Sequence, residues 1–186
     1  ILSAVHNSSL SLLSRHETTG ENLRREAEAR GVNPAQIHIA KVVGKAEHVL
    51  RFKHSSLFLD TFPYGAHTTC SEALYAALPV LTRPGRTFAS RVPASLLHAL
   101  GVNGATIVQT EDDFVALGVR IGGREHEEKT WRVQKRLKAI MKRARQSSVL
   151  FKQKVWVAHW TRLLTALWDT HKAKRASFNV VGVFRR

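Results

Sequence analysis

Residues 59–72 read Leu59-Asp60-Thr61-Phe62-Pro63-Tyr64-Gly65-Ala66-His67-Thr68-Thr69-Cys70-Ser71-Glu72. A run of buried-strand type, Ser56–Asp60, ends at its acidic residue. A loop carrying Pro63 and Gly65 follows, and His67–Ala77 has the pattern of a helix. The first turn of a helix offers amide N–H groups without intrahelical acceptors, at the positive end of the dipole. Two threonine hydroxyls and an imidazole at that place could hold a phosphate or diphosphate without a metal. The same residues also suit a plain threonine N-cap with Glu72 as its capping-box partner. The residues alone leave both readings open.

Working outward, the same alternation recurs. Leu10–Leu13, Gln36–Ala40, Pro79–Thr82 and Ala105–Gln109 read as strands. Glu21–Arg30, Lys45–Lys53, Ala89–Leu100 and Glu111–Gly118 read as helices, several stopped by glycine. Strand–helix alternation at this spacing predicts βαβ units, hence an α/β fold with a Rossmann-like parallel sheet. Ligands of such sheets bind beyond the carboxyl ends of the strands. That directs attention to the loops after Leu13, Ala40, Asp60 and Leu81.

Beyond residue 124 the pattern changes. Trp131, Val133, Leu137, Ile140 and Met141 recur at helical spacing, and so do Val155, Trp156, His159, Leu163, Leu164 and Leu167. Two helices are expected, split near Gln146–Leu150, with Trp131, Trp156, Trp160 and Trp168 as core anchors. The expected organisation is a nucleotide-binding lobe over 1–124, helices packing on it over 125–175, and a tail over 176–186.

The 186 residues carry a net charge of +15, and 17 of the 29 Lys/Arg lie in 124–186 against four acids. Such a balance favours polyanionic partners, although solvated helical faces give the same composition. The longest apolar runs are too short to cross a bilayer. Ile1–Ser14 mix Ser, His and Asn with Leu and do not read as a basic leader with a cleavage site, so no signal peptide is expected. Without an initiator Met, the chain is expected to start inside a larger protein. Cys70 is the single cysteine, which excludes an internal disulfide and a cysteine-built zinc site and suits a reducing compartment.

A second constellation, Val43-Gly44-Lys45-Ala46-Glu47-His48-Val49-Leu50-Arg51, follows the strand ending near Ala40. Lys45, His48 and Arg51 recur every third residue on one helical face. Together they could hold a ribose, stack on a base and neutralise a phosphate; a solvated basic face is the plain alternative. A third, Arg83–Val92, is a turn entering a helix at the ligand edge. No Asp-x-Asp, HExxH or GxGxxG occurs, so no metal and no cofactor are expected.

In series, GKxEHxxR at 44–51, LDTFPYGAHTT at 59–69 and ALYAALPVLTRPGRTFASRVPASLL at 73–97 resemble the O-GlcNAc transferase/SPINDLY family. The resemblance implies the C-terminal catalytic lobe of a GT-B glycosyltransferase, preceded in its parent by an N-terminal lobe and TPR helices, acting in cytoplasm or nucleus. It implies transfer of GlcNAc from UDP-GlcNAc to Ser/Thr of proteins without a metal. It carries His67, Thr68 and Thr69 to the diphosphate, Lys45 and His48 to ribose and uracil, Arg51 to the base side, Val43 to the uracil edge and Leu13 to an apolar wall. Glu72 stands where the family commonly has a ribose-binding Asp. The resemblance further implies that the family's catalytic base, a phosphate-contacting lysine and the first strand of the lobe fall outside the chain. No catalytic residue is therefore assigned, and the chain is expected to be inactive alone. Two rival expectations remain, O-fucosyl transfer from GDP-fucose and a non-enzymatic polyanion-binding module.

Overall fold

A computed structural model describes residues 1–5, 7–102, 104–123 and 127–173. Its elements run β1 (Leu10–Leu13), α1 (Glu17–Glu28), β2 (Ile37–Ala40), α2 (Lys45–Lys53), β3 (Phe58–Leu59), α3 (Thr68–Tyr75), β4 (Val80–Leu81), α4 (Val92–Leu100), α5 (Glu111–Gly122), α6 (Glu127–Ser147) and α7 (Gln153–Lys172). The alternation read from the sequence is therefore the architecture.

All pairings are parallel. β1 pairs with β2 from Leu10↔Ile37 to Leu13↔Ala40, and β3 pairs with β4 through Phe58↔Val80 and Leu59↔Leu81. All four strands thus run in one sense within their pairs, and each pair ends where a loop was expected. Two expectations need correction. The sheet is two separate two-stranded pieces. The strand expected over 105–109 shrinks to one parallel bridge, Thr82↔Ile107, closed by Thr82 N–H to Thr106 O and Val108 N–H to Thr82 O, each 3.0 Å. Gly101, with φ of +81°, ends α4, and Gly104, with φ of +83°, precedes this segment.

Helix and sheet meet closely at one glycine. A Cβ on Gly20 would lie 2.9 Å from Ile39 Cγ1, so the absence of a side chain lets α1 settle on β2. The helix begins earlier than its Glu/Ala-rich centre suggested, at Glu17 rather than Glu21.

The main core gathers Cys70, Ala73 and Leu74 of α3, Leu78, Val80 of β4, Leu97 and Leu100 of α4, Val102 and Met141 of α6. Each fully buried leucine or methionine stabilises the fold by roughly 1.5–3 kcal/mol. Met141 and Leu137 of α6 are buried, Met141 within this core. α7 is different. None of its residues is buried, and Trp156, Trp160, Leu164, Leu167 and Trp168 are exposed. The core role expected for those three tryptophans is therefore wrong; Trp156 and Trp160 stack on each other at 5.7 Å instead. Apolar spacing every three to four residues reports an apolar face, and it is silent on what that face meets. The Trp131 side chain and the tail over 176–186 lie outside the described residues.

Candidate functional site

The loop from β3 to α3 is built on Asp60. Its carboxylate is buried and accepts hydrogen bonds from Ala66 N–H and Thr82 Oγ1, each 2.7 Å. Burial raises the Asp60 pKa above the ordinary carboxylate range, against those two hydrogen bonds, one from Thr61 N–H and the nearby His67, all of which lower it. Gly65 is packed into the same corner. A Cβ there would lie 3.1 Å from Ala89 O and 3.2 Å from Asp60 Oδ2. A side chain there would press on the Ala89 carbonyl and the Asp60 carboxylate.

His67 is the N-cap of α3, with no side-chain cap hydrogen bond. The threonine-cap alternative is thereby removed, and Glu72 is not a capping partner, because it pairs elsewhere. The first helical bond of α3 runs from Ser71 N–H to His67 O. The amides of Thr68, Thr69 and Cys70 precede it and have no intrahelical acceptor. Thr68 and Thr69 are exposed at this end.

The His67 ring is fixed. Its Nε2 lies 3.2 Å from Ala89 O, and since a carbonyl only accepts, Nε2 carries a proton and Nδ1 remains for a ligand. Ala89 O also receives Gly65 N–H at 3.0 Å. One carbonyl thus ties the β3–α3 loop to the loop after β4.

A second tie joins α3 to α2. Glu72 lies 3.5 Å from both Lys45 Nζ and His48 Nε2. The carboxylate expected near a ribose therefore gathers the two cationic-type side chains expected beside it. Arg51 is held separately. It shares the helix but not the cluster, since its guanidinium donates to Lys41 O at 2.6 Å and to Glu47 at 3.2 Å. It braces the segment 41–44, which carries the half-buried Val43. Leu13 ends β1 beside Ala40 and is exposed.

Three further residues at this edge lie in stretches that the sequence singled out without giving these side chains a role. Arg83 follows β4 with its guanidinium 4.2 Å from the Phe62 ring centroid, and its Nε is buried without an acceptor. Tyr64 and Phe88 flank His67. Their positions in loops at the carboxyl edge were the available signal. Cys70 is fully buried, and burial beside Asp60 pushes its thiol up to about 12, so it is no nucleophile. Among the described residues no three His, Cys, Asp or Glu side chains group as metal ligands, and no helix is long and apolar enough to cross a membrane.

Residues 1–160 match the family model of glycosyl transferase family 41. The chain belongs to this family. It is 33% identical over 174 residues to a UDP-N-acetylglucosamine–peptide N-acetylglucosaminyltransferase of Caenorhabditis elegans, covering 93% of the chain and 14% of that protein. It is also 33% identical over 175 residues to a probable enzyme of the same name, SEC, of Arabidopsis thaliana, covering 92% of the chain and 17% of that protein. Family 41 membership agrees with the fold. A mutant O-GlcNAc transferase of Thermobaculum terrenum superposes with a TM-score of 0.78 at 24% identity, over 90% of the chain and 31% of that chain. The architecture is the Rossmann-like lobe of a GT-B glycosyltransferase, and the chain spans a small part of the relatives' length.

Proposed function

We propose that this chain supplies the nucleotide-sugar site of a protein O-GlcNAc transferase, binding UDP-GlcNAc for transfer to Ser/Thr of protein acceptors. The observation that carries the reading is the pair of ties at the start of α3. Glu72 holds Lys45 and His48 on one tie, and Ala89 O holds His67 on the other. These ties suit a ligand that is anionic where α3 begins and polar at the α2 end.

The chemistry follows from charge. When UDP leaves, negative charge grows on the diphosphate. The free amides of Thr68, Thr69 and Cys70, the threonine hydroxyls and the His67 Nδ1 are aimed at the place where it grows, and fixed donors there favour departure. An imidazolium serves this better than a neutral ring, because only then does Nδ1 donate. His48 and Lys45 are set for ribose and base, with Val43 on the braced segment beside them. No step in this requires a metal. A base to activate the acceptor is not among the residues assigned, and the acceptor's hydroxyl proton would leave through another part of the protein.

The deciding experiment is competition between UDP and GDP on the intact protein that contains this chain, at one salt concentration, with and without EDTA. UDP is expected to bind at least about tenfold tighter, since a polar edge unmatched by the wrong base costs about one hydrogen bond. EDTA is expected to change nothing. Tighter GDP binding would point to the fucosyl-donor reading. Binding of RNA with neither nucleotide would point to the basic α6 surface and a binding module.

Glu72→Ala tests the α2–α3 tie. The two pairs it makes are partly exposed, each worth about 0.2–1 kcal/mol. UDP affinity is expected to fall roughly two- to tenfold, with thermal stability changed by less than about 1 kcal/mol. Undiminished affinity in calorimetric titration would remove Glu72 from the site.

A further inference from the structure

At the end of α3 away from His67 the chain has a second recess. A cleft of about 230 Å³ opens between the last turn of α2, the turn from α3 to β4 and the middle of α6. Phe52 packs edge-on against Phe58, the first residue of β3, and Leu78 leads into β4. The cleft therefore lies at the amino ends of β3 and β4, whereas His67, Thr68 and Thr69 lie beyond the carboxyl end of β3. Its floor is apolar, made by Phe52, Ala76, Ala77, Leu78 and Ala139. Its rim is cationic, with Lys53 from α2 and Lys138 and Lys142 from α6. Among the described residues none of these three lysines has an ion pair or a hydrogen bond. No acidic residue lines the cleft, and the segment 129–168 contains none.

The floor calls for carbon rather than for a polar group. At the end of α3, Ala73 O receives Leu78 N–H at 2.9 Å, Leu74 O receives Ala77 N–H at 3.0 Å, and Tyr75 O receives the Arg145 guanidinium at 2.6 Å. These carbonyls of the last turn already have their donors. The same cap sets Ala77 at a φ of +60°, in a place that glycine usually takes. A methyl group thus covers the floor at a conformational cost, where glycine would leave bare backbone. The C-terminal ends of α2 and α3 meet at the recess, and their partial negative charge disfavours a compact anion on the floor. Carboxylates belong at the rim instead. Lys138 and Lys142 stand one turn apart, about 6 Å along the axis of α6. An extended chain rises about 3.3 Å per residue, so the neighbours on either side of one residue are spaced to match. We propose that this cleft docks an acidic linear segment of a partner protein, with one apolar side chain on the floor and the flanking carboxylates on Lys53, Lys138 and Lys142. A nucleic-acid backbone would use the lysines and leave the floor empty. The proposal is independent of the nucleotide-sugar reading above.

The test is fluorescence anisotropy of the intact protein that contains this chain, titrated against a fluorescein-labelled peptide Gly-Glu-Glu-Leu-Glu-Glu-Gly and its Leu-to-Ala counterpart. The leucine peptide should bind about three- to tenfold tighter than the alanine one, the gain from an apolar side chain in a half-open cleft. Lys53→Gln, Lys138→Gln and Lys142→Gln combined should weaken the leucine peptide about three- to thirtyfold and remove most of the salt dependence. Ala139→Trp fills the cleft and keeps the lysines, so it should bring the leucine peptide down to the level of the alanine one. Lys154→Gln, on α7 and outside the cleft, should change nothing. The three lysines lie at the surface, so thermal unfolding of their combined variant should be nearly unchanged and its loss of binding is a loss of contact. Equal affinity for the two peptides would reduce the interaction to charge alone and overturn the proposal. A loss with Lys154→Gln as large as with the cleft lysines would do the same. So would failure of the leucine peptide to bind, whether or not vesicles of equal parts phosphatidylcholine and phosphatidylserine capture the protein; capture without peptide binding would assign the basic face to a lipid surface.

Discussion

Replacing His67 with alanine is expected to weaken UDP binding roughly ten- to 150-fold, the equivalent of losing one hydrogen bond to a charged group at about 1.5–3 kcal/mol. The fold should survive. His67 caps α3 through its backbone and makes no side-chain cap, and its ring has one polar contact, to Ala89 O. The clasp between the two loops persists through Gly65 N–H on the same carbonyl. His67→Gln separates charge from hydrogen bonding. If it recovers most of the affinity, the neutral donor suffices; if it recovers little, the imidazolium charge is what the diphosphate needs. Calorimetric titration of the three proteins decides this, and wild-type affinity in the alanine variant would remove His67 from the site.

The parts of this molecule that a sequence reveals are those governed by local rules. Lys45–Lys53 was legible because glycine precedes a run without β-branched crowding, and the strand at Leu10–Leu13 because its apolar run is short and bounded by Ser. The start of α3 was legible because Pro, Gly and two Thr mark a turn and a helix opening. Spacing alone could not place the side chains at long range. Lys45, His48 and Arg51 share a helix face, but the partner of each is decided elsewhere. Glu72, more than twenty positions on, takes the first two, and the Lys41 carbonyl takes the third. The Ala105–Gln109 strand failed because a β-type run becomes a strand only where a neighbour supplies a full ladder, and here one residue of β4's extension is all that pairs. The tryptophans of α7 failed for a related reason. Their periodicity is real, but burial depends on a partner surface, and no residue of that helix is buried.

The largest effect on stability is expected from Asp60→Ala. The variant leaves Ala66 N–H and Thr82 Oγ1–H without their acceptor in a buried corner, at about 1–3 kcal/mol each. Relief of the carboxylate's desolvation offsets part of this, so a net loss of about 2–4 kcal/mol is expected, read as a lower urea midpoint at unchanged slope. UDP affinity should fall as well, because the same carboxylate holds the loop that aims His67. Asp60→Asn should cost less. Its amide oxygen still accepts from Ala66 N–H, and the Thr82 hydroxyl can turn to accept from the amide nitrogen. The two variants also separate packing from ionisation. Burial raises the folded pKa of Asp60, so the native state keeps its proton to higher pH than the unfolded chain. Through the window that starts near about pH 4 and ends at the raised value, the native state binds more protons, and this carboxyl's contribution to stability falls as pH rises. Below the window both states are neutral and the penalty vanishes; above it the penalty is constant. The stability of wild type minus that of Asp60→Asn should therefore decline with rising pH across that window and be flat on either side. A difference that rises instead would mean that the hydrogen bonds from Ala66 and Thr82 outweigh desolvation, and that Asp60 is ionised by its partners rather than strained by its burial.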